Sequence, residues 1–498
     1  MVQGTSSSAG KSWLVTALCR IYARRGLHVA PFKAQNMSNN AAVCADGSEI
    51  GRAQAVQALA AGIEPTADMN PILLKPEADA RSQTVVLGRP WRVQAAREFY
   101  DYRGRLWPVV TGALDRLCEA YELIVVEGAG SAAELNLKDR DLVNMAVARY
   151  ARAPVLLVGD IDRGGIFAQL LGTLSLLDPE ERALVRGLVV NKFRGDPTLF
   201  ADGVQMLEER GGVPVLGVVP YLRDLVIPEE DAVAVEDLTC AGHPVRPPAP
   251  GTVDIAVIAL PRIANFDDFD PLIAEPGVRV RWVSAAAALG RPDAVILPGS
   301  KSTLADLAWL RAQSLDRAIC ALAGRGRAVA GICGGYQMLG AFIRDPGHTE
   351  SSEDAATGLG LLPVETAFDR DKATYRVRAR VRSAPGWAAD LAGEEISGYE
   401  IHMGRTSGGP AWLEITERNG LPAGVTDGAM SGDGRVWGCY LHGLFHNRAL
   451  RRAWLMALGW REAEASALAP RTDLDRLADA VEAALDMRRL DDIVAAGG

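Results

Sequence analysis

The sequence predicts an α/β protein with two doubly wound domains, each a mainly parallel sheet covered by helices. Apolar runs without alternation recur along the chain, as expected for parallel strands buried on both faces. These runs occupy residues 123–126, 154–158, 188–190, 215–219, 254–260, 294–297 and 328–332. Each run precedes a turn rich in Gly, Asp or Asn and then a helical pattern, which indicates repeated βα units. A chain of 498 residues is also too long for a single hydrophobic core.

A proline-rich segment divides the chain at residues 240–251, and strand signals resume directly after it at Val253. Because proline stiffens the backbone and removes hydrogen-bond donors, we predict an interdomain linker there. A long surface loop within one domain is the alternative. The predicted domains are therefore residues 1–239 and 252–450. A helical extension over residues 451–498 follows, and the sequence does not specify what it packs against.

Charge, cysteine spacing and the length of apolar runs exclude several classes of protein. The net charge of −9 disfavours nucleic acid as a partner, since a phosphate backbone attracts a basic surface. The seven cysteines are scattered without a CxxC pair, which argues against a disulfide framework or a structural zinc site. No apolar run reaches the roughly 18–20 residues needed to span a membrane. We expect a cytoplasmic protein that acts on a small molecule, and its oligomeric state is left open.

The motif GTSSSAGKS at residues 4–12 predicts a phosphate-binding loop. A glycine-rich turn that opens a helix directs backbone N–H groups at phosphate oxygens. Lys11 would neutralise the terminal phosphates of ATP, and the Ser12 hydroxyl would bind Mg²⁺. The loop is longer than the strict P-loop pattern, so an inert Gly/Ser turn is the alternative. The candidate nucleotide-binding residues are Gly4, Thr5, Gly10, Lys11, Ser12 and Asn191.

Polar residues at the ends of later strands complete this candidate site. Glu127 ends one apolar run beside a glycine-rich turn, where open α/β sheets bind ligands, so it is the second candidate Mg²⁺ ligand. Asp160 and Asp162 end the next run, although an Asp there also caps helices. Lys33 is the candidate contact for an anionic substrate or for the γ-phosphate. Asn191 would read an adenine edge or serve as a turn residue.

A candidate nucleophile lies in the second half of the chain. The motif GICGGYQ places Cys333 between a predicted strand and a predicted helix, and the surrounding glycines permit the strained turn that exposes a nucleophile. A helix N-terminus favours the thiolate form of cysteine. The backbone N–H groups of Gly334 and Gly299 are candidate donors to an oxyanion. A thiol nucleophile needs a base, and spacing alone leaves His442, His402 and His446 as rivals.

Together these motifs resemble the glutamine-dependent cobyric acid synthase family of cobalamin biosynthesis. The resemblance extends over nearly the whole chain as an ordered series. Its members are GTSSSAGKS (4–12), PFKAQNM (31–37), EIGRAQAVQA (49–58), DMNPILLKP (68–76), EGAGSAAELNLKDRDLVNM (127–145), DIDRGG (160–165), NKFRGD (191–196), PRIANFDDFDPL (261–272), LPGSKST (297–303), GICGGYQMLG (331–340), GYEIHMGRT (398–406) and GCYLHGLF (438–445).

The resemblance implies an N-terminal domain similar to dethiobiotin synthetase and a C-terminal class I glutamine amidotransferase domain. It makes Cys333 the glutaminase nucleophile and His442 its base. Three positions depart from related patterns: Ser8 stands where the family usually has Asp, Ala132 stands where it usually has Pro, and Leu444 stands where many amidotransferases have the Glu of a catalytic triad. We therefore expect a Cys-His dyad, with Glu400 as a weaker third partner.

The family also implies a reaction. Ammonia from glutamine would amidate the b, d, e and g carboxylates of adenosyl-cobyrinic acid a,c-diamide, each activated by ATP and Mg²⁺ as an acyl phosphate. The alternatives are cobyrinic acid a,c-diamide synthase, CTP synthase and a partner-regulating P-loop ATPase. Lys33, Lys75, Arg81 and Arg163 lie in or near the motifs and are the expected contacts for the substrate carboxylates.

Overall fold

The N-terminal part of the chain folds around a parallel sheet. A computed structural model describes residues 1–78, 81–223, 225, 227–228, 249, 251–351, 353–462 and 472–497. Four parallel strands lie in the order Val2–Gly4, Val155–Asp160, Val185–Phe193 and Val215–Pro220. A parallel bridge between Val2 and Glu127 adds the pair Leu123–Val126 and Val29–Phe32 to the sheet. The predicted strands at 123–126, 154–158, 188–190 and 215–219 are therefore confirmed.

The C-terminal part folds around a second, six-stranded sheet. Its strands lie in the order Val278–Val283, Val253–Ile258, Ala294–Leu297, Ala328–Ile332, Val436–Cys439 and Ala429–Met430. All neighbouring pairs are parallel except the last, which is antiparallel. The prediction of two α/β units with parallel sheets is confirmed.

Smaller sheets, which the sequence analysis did not predict, extend both units. In the first, strands Gln35–Met37, Ile72–Ala78, Arg81–Val86 and Arg89–Ala95 form one sheet, and Ala41–Val43 pairs with Glu49–Gly51. In the second, Ala355–Thr357, Phe342–Arg344, Glu365–Val381, Leu413–Arg418 and Leu421–Asp427 form another sheet, Glu395–Ser407 pairs with Glu365–Val381, and Ile263–Ala264 pairs with Gly299–Ser300. Their strands bring residues distant in sequence to the contact between the two units.

Helices cover both parallel sheets. Those of the N-terminal part are Lys11–Arg24, Arg52–Ala61, Ala96–Phe99, Arg103–Ala120, Met145–Tyr150, Ile166–Leu176, Pro179–Leu184 and Ala201–Gly211. Those that follow are Asp270–Ile273, Ala286–Leu289, Thr303–Ala312, Leu315–Gly324, Gly334–Leu339, Arg448–Ala457, Asp473–Ala484 and Met487–Ala496. No helix in the described ranges is long and apolar enough to cross a membrane.

The end of the chain returns to the N-terminal unit. Helix Arg448–Ala457 packs into the core of the second unit through Trp454, whereas Leu477 of the next helix joins the core around helix Lys11–Arg24. The predicted extension at 451–498 thus contains two parts with different neighbours. The predicted linker at 240–251 falls, apart from residues 249 and 251, outside the described residues.

Candidate active site

Cys333 occupies a strained turn between strand Ala328–Ile332 and helix Gly334–Leu339. Its φ of 51° and ψ of −109° are a conformation that residues other than glycine rarely adopt. The closely packed turn explains the glycines around it, since a Cβ on Gly335 would lie 1.9 Å from the carbonyl oxygen of Leu297. The thiol is buried and contacts the carbonyl oxygen of Ile401 at 3.6 Å. This is the predicted arrangement of strand, turn and helix around the candidate nucleophile.

His442 is the histidine that the fold brings to Cys333, and both residues line the same cavity. The other face of the base is held by an acid, because His442 Nδ1 lies 2.7 Å from Asp268 Oδ2. The second oxygen of Asp268 accepts a 2.7 Å hydrogen bond from the backbone N–H of Gly443. Burial alone would lower the pKa of His442, but the Asp268 carboxylate and, after it, Cys333 raise it to about 10. The three side chains have the spatial relation of a nucleophile, base and orienting acid.

The acid that contacts His442 is Asp268 and not Glu400, the expected third partner. Glu400 accepts hydrogen bonds from Arg418 at 2.8 and 3.0 Å and lies 3.5 Å from His402 Nε2. His402 is further occupied by stacking on Tyr440, with ring centroids 3.7 Å apart. Sequence reasoning missed Asp268 because 174 positions separate it from His442. Its motif, PRIANFDDFDPL, was noted, but nothing in it distinguishes one of three aspartates.

The two glycines expected to form the oxyanion hole lie beside Cys333 and His442. A Cβ on Gly299 would approach His442 Cε1 to 2.9 Å, and one on Gly334 would approach the backbone nitrogen of Ser300 to 2.9 Å. Cys333, His442 and Gly299 line one cavity, which Lys75 of the N-terminal unit also lines. The candidate glutaminase site therefore opens at the contact between the two units.

Buried ion pairs cross that contact near the cavity. Glu49 of the N-terminal unit accepts a 2.5 Å hydrogen bond from Lys372 of the C-terminal unit, and its other oxygen pairs with Lys75. Burial would raise the pKa of Glu49, but the two ammonium groups lower it well below its usual range. Lys75 is therefore already paired at the interface.

The predicted phosphate loop connects strand Val2–Gly4 to helix Lys11–Arg24. Gly10 has a φ of 92°, and a Cβ there would lie 2.0 Å from Asn191 Nδ2, which explains the glycine. Lys11 Nζ donates hydrogen bonds to the carbonyl oxygens of Ser6 at 2.8 Å and Gly130 at 3.0 Å, so it curves over the loop that phosphates would enter. Thr5 contributes its backbone N–H to Val158 O at 2.9 Å.

Glu127 is the centre of a buried polar cluster beside this loop. Its Oε1 accepts hydrogen bonds from Ser12 Oγ at 2.7 Å and Lys33 Nζ at 2.9 Å. Its Oε2 accepts a 2.5 Å bond from Gln57. Burial would raise the pKa of Glu127, but the Lys33 ammonium and these hydrogen bonds lower it. The carboxylate is therefore ionised, and it forms a buried ion pair with Lys33, which the sequence analysis did not anticipate.

The remaining predicted residues surround the same loop. Asn191 Nδ2 donates to the carbonyl oxygen of Ala9 at 2.8 Å, so at least one of its donors braces the loop. Asp160 accepts a 3.0 Å hydrogen bond from Lys192, which also donates to the carbonyl oxygen of Ser8 at 2.6 Å. Neither Asp160 nor Asp162 caps the following helix, whose N-cap is Gly165.

The Ser12 hydroxyl and the Glu127 carboxylate offer the hard oxygen atoms that a magnesium ion prefers, and in this structure those oxygens are hydrogen-bonded to each other and to Lys33. No group of three or more His, Cys, Asp or Glu side chains suited to a metal occurs in the part of the chain that the structure describes. Such a group is not required, because Mg²⁺ commonly uses one or two protein ligands together with water and substrate phosphates.

Two family models match the chain in the same order as its two sheets. Residues 1–233 match the CobQ/CobB/MinD/ParA nucleotide binding domain, and residues 254–450 match the CobB/CobQ-like glutamine amidotransferase domain. The cobyric acid synthase of Chloroflexus aurantiacus is 57% identical over 494 residues, which cover 99% of this chain and 98% of the relative. That of Sorangium cellulosum is 54% identical and covers 99% of this chain and 98% of the relative.

The fold and the site thus define an amidating ligase in which a glutamine amidotransferase domain is joined to a nucleotide-binding domain. The two relatives are more than half identical to this chain over nearly its whole length, which shows the family as well. The chain belongs to the cobyric acid synthase family.

Proposed function

We propose that this protein amidates the b, d, e and g side-chain carboxylates of adenosyl-cobyrinic acid a,c-diamide, with glutamine as nitrogen donor and ATP as phosphoryl donor. The observation that carries this proposal is the buried Cys333, His442 and Asp268 arrangement in a cavity that also reaches the nucleotide-binding unit. Ammonia would thus be released at the contact between the two units. The domain boundary lies in residues 240–251, and the protein acts in the cytoplasm without a nucleic-acid or membrane partner.

In the glutaminase step, the Cys333 thiolate attacks the side-chain amide carbon of glutamine. The oxyanion that forms is stabilised by the backbone N–H groups of Gly334 and Gly299. His442 gives its proton to the departing nitrogen, so ammonia leaves and a thioester with Cys333 is formed. His442 then takes a proton from water, which hydrolyses the thioester to glutamate. Asp268 orients the imidazole and stabilises its charged form throughout.

In the synthetase step, a corrinoid carboxylate attacks the γ-phosphorus of ATP and ADP departs. The loop containing Gly4, Thr5 and Gly10 surrounds the phosphates, and Lys11 neutralises their charge. Asn191 contacts the adenine, and Lys33 orients the substrate carboxylate. Ser12 and Glu127 would hold Mg²⁺, which neutralises phosphate charge during phosphoryl transfer. Ammonia then attacks the acyl phosphate, the C–O bond to phosphate breaks, and a carboxamide and inorganic phosphate are released.

A mass-spectrometric assay tests this proposal with two matched variants. The protein is incubated with glutamine, Mg-ATP and adenosyl-cobyrinic acid a,c-diamide, and we expect each remaining carboxylate hydroxyl to be exchanged for an amino group until four new amides are present. Cys333→Ala should work only with ammonium chloride, whereas Lys11→Ala should hydrolyse glutamine but form no amide.

Two outcomes would contradict the proposed reaction. Amidation of cobyrinic acid at two positions, with no reaction of the a,c-diamide, would identify the earlier enzyme of the pathway instead. ATP hydrolysis without glutamine hydrolysis would favour a partner-regulating ATPase.

A further inference from the structure

Arg52 of the N-terminal unit extends into the glutaminase site of the other unit. It is the first residue of helix Arg52–Ala61, and its Nε lies 2.9 Å from Asp267 Oδ2. The same guanidinium donates to the hydroxyl of Tyr399 and lies over that ring at 5.1 Å from its centroid. It also donates to the carbonyl oxygen of Ala41 at 3.0 Å, which fixes it to its own unit. The side chain of Arg52 is 15% exposed and that of Asp267 is 4% exposed, so solvent screens this pair little.

The first partner of Arg52 belongs to the segment that carries the orienting acid. Asp267 and Asp268 are adjacent in the 3₁₀ helix Phe266–Phe269. The preceding residue, Asn265, has a φ of 53° and accepts a 2.9 Å hydrogen bond from the backbone N–H of Ala41. The backbone N–H of Phe266 also donates to Asn40 Oδ1 at 3.3 Å, so the segment that positions Asp268 is attached to the N-terminal unit at three points.

The second partner of Arg52 contacts the catalytic base. The Tyr399 ring stacks on the His442 imidazole with centroids 5.2 Å apart and planes 20° from parallel. The backbones of the two residues also exchange hydrogen bonds of 3.1 and 2.9 Å. Arg52 therefore contacts both the segment behind Asp268 and the ring against which His442 is packed.

We infer that Arg52 is a positioning residue of the glutaminase, supplied by the domain that consumes the ammonia. Its guanidinium fixes Asp268 through Asp267 and fixes His442 through Tyr399, so the base and its orienting acid reach their working geometry only when the two domains are in contact. Arginine suits this role because its planar, delocalised guanidinium can bind a carboxylate and stack on an aromatic ring at once. The inference rests on the proposed function, since it requires that Cys333 and His442 hydrolyse glutamine.

The test compares Arg52→Gln with the full-length unmodified protein in two assays. We expect kcat for glutamine hydrolysis to fall about 10- to 100-fold, as small misplacements of catalytic groups do, with less than a threefold change in KM for glutamine. Amidation with ammonium chloride should stay unchanged, because it bypasses Cys333. Methylguanidinium added to Arg52→Ala should restore part of the lost kcat, which a merely unfolded site would not allow.

Arg376→Gln is the matched control. Arg376 forms another ion pair across the same contact, 2.6 Å from Glu64, but within the residues that the structure describes neither partner touches His442 or Asp268. This variant should keep the full glutaminase kcat. An Arg52→Gln protein with unchanged kcat, or one that loses glutamine- and ammonia-dependent amidation together, would overturn the inference. Absence of glutaminase activity in the unmodified protein would instead overturn the proposed function.

Discussion

Asp268→Asn removes the charge behind the catalytic base while keeping the size of the side chain. In the native site, Asp268 Oδ2 lies 2.7 Å from His442 Nδ1, and the two side chains are 3% and 1% exposed. An asparagine can present its amide N–H to Nδ1. The neutral imidazole then carries its own proton on the other ring nitrogen. That nitrogen is the one that must accept the proton of Cys333, so it is blocked. The substitution therefore both weakens the imidazolium and favours the wrong tautomer.

The magnitude follows from the electrostatics of the site. The rise in the pKa of His442 from 6.5 to about 10 corresponds to roughly 5 kcal/mol of preference for the charged imidazole. Asp268 and the Cys333 thiolate both contribute to that rise. If Asp268 provides half or more, its loss costs about 3 kcal/mol, which is about 10²-fold in rate. With the tautomer effect, we expect glutaminase kcat/KM to fall by about 10²- to 10³-fold.

The assay measures glutamate release and, separately, amidation with ammonium chloride. Asp268→Asn should lose the first activity and keep the second. Glu400→Gln is the control, since Glu400 is a buried acid that binds Arg418 and not His442; it should have the smaller effect on glutamate release. Glutaminase activity of Asp268→Asn within threefold of the unmodified protein, or a larger loss in Glu400→Gln, would refute the triad.

Three further predictions concern packing, pH and the end of the chain. Gly299→Ala should lower glutaminase activity at least about tenfold without affecting ammonia-dependent amidation, because its Cβ would lie 2.9 Å from His442 Cε1; equal loss of both activities would contradict this. Since its pKa is about 10 in the folded protein and 6.5 as the ordinary value, His442 should stabilise the fold fully below pH 6.5 and lose this contribution as the pH rises through 10. The difference in urea unfolding free energy between the unmodified protein and His442→Gln should therefore shrink between those pH values, and a constant difference would refute the assignment. Leu477→Ala, at a site 1% exposed, should cost about 2 to 4 kcal/mol of unfolding free energy. Asp479→Asn, which removes the ion pair to Arg24 from the same helix, should cost less than about 1 kcal/mol; a similar cost for both would contradict burial as the cause.

Local patterns predicted the parallel sheets well. The run LIVV was expected at 123–126 and forms the strand Leu123–Val126. The run AVAGI likewise forms Ala328–Ile332. Buried parallel strands need continuous apolar residues, so the signal lies within each segment. The phosphate loop and the turn at Cys333 were predictable for the same reason, since glycine spacing and a nearby helix are local features.

Contacts between distant segments could not be predicted in this way. Asp268 and Arg52 act on His442 from a separate loop and a separate domain, and neither carries a pattern that names its partner. Helical periodicity predicted that the tail would form helices, but amphipathic helices fit many apolar surfaces. Nothing in the tail specified that Leu477 would pack near helix Lys11–Arg24 rather than on the domain that precedes it.

The chain passes from one domain to the other twice, which keeps the two domains together. It leaves the first sheet after Val215–Pro220, enters the second at Val253–Ile258, and comes back with Asp473–Ala484. The glutaminase is therefore tethered at both ends to the domain that it supplies. If a protease cut one of these two connections, the other would still join the domains. Their contacting surfaces would therefore still meet at a high effective concentration. Reclosure after any opening is thus an intramolecular event whose rate does not depend on how much protein the cell contains.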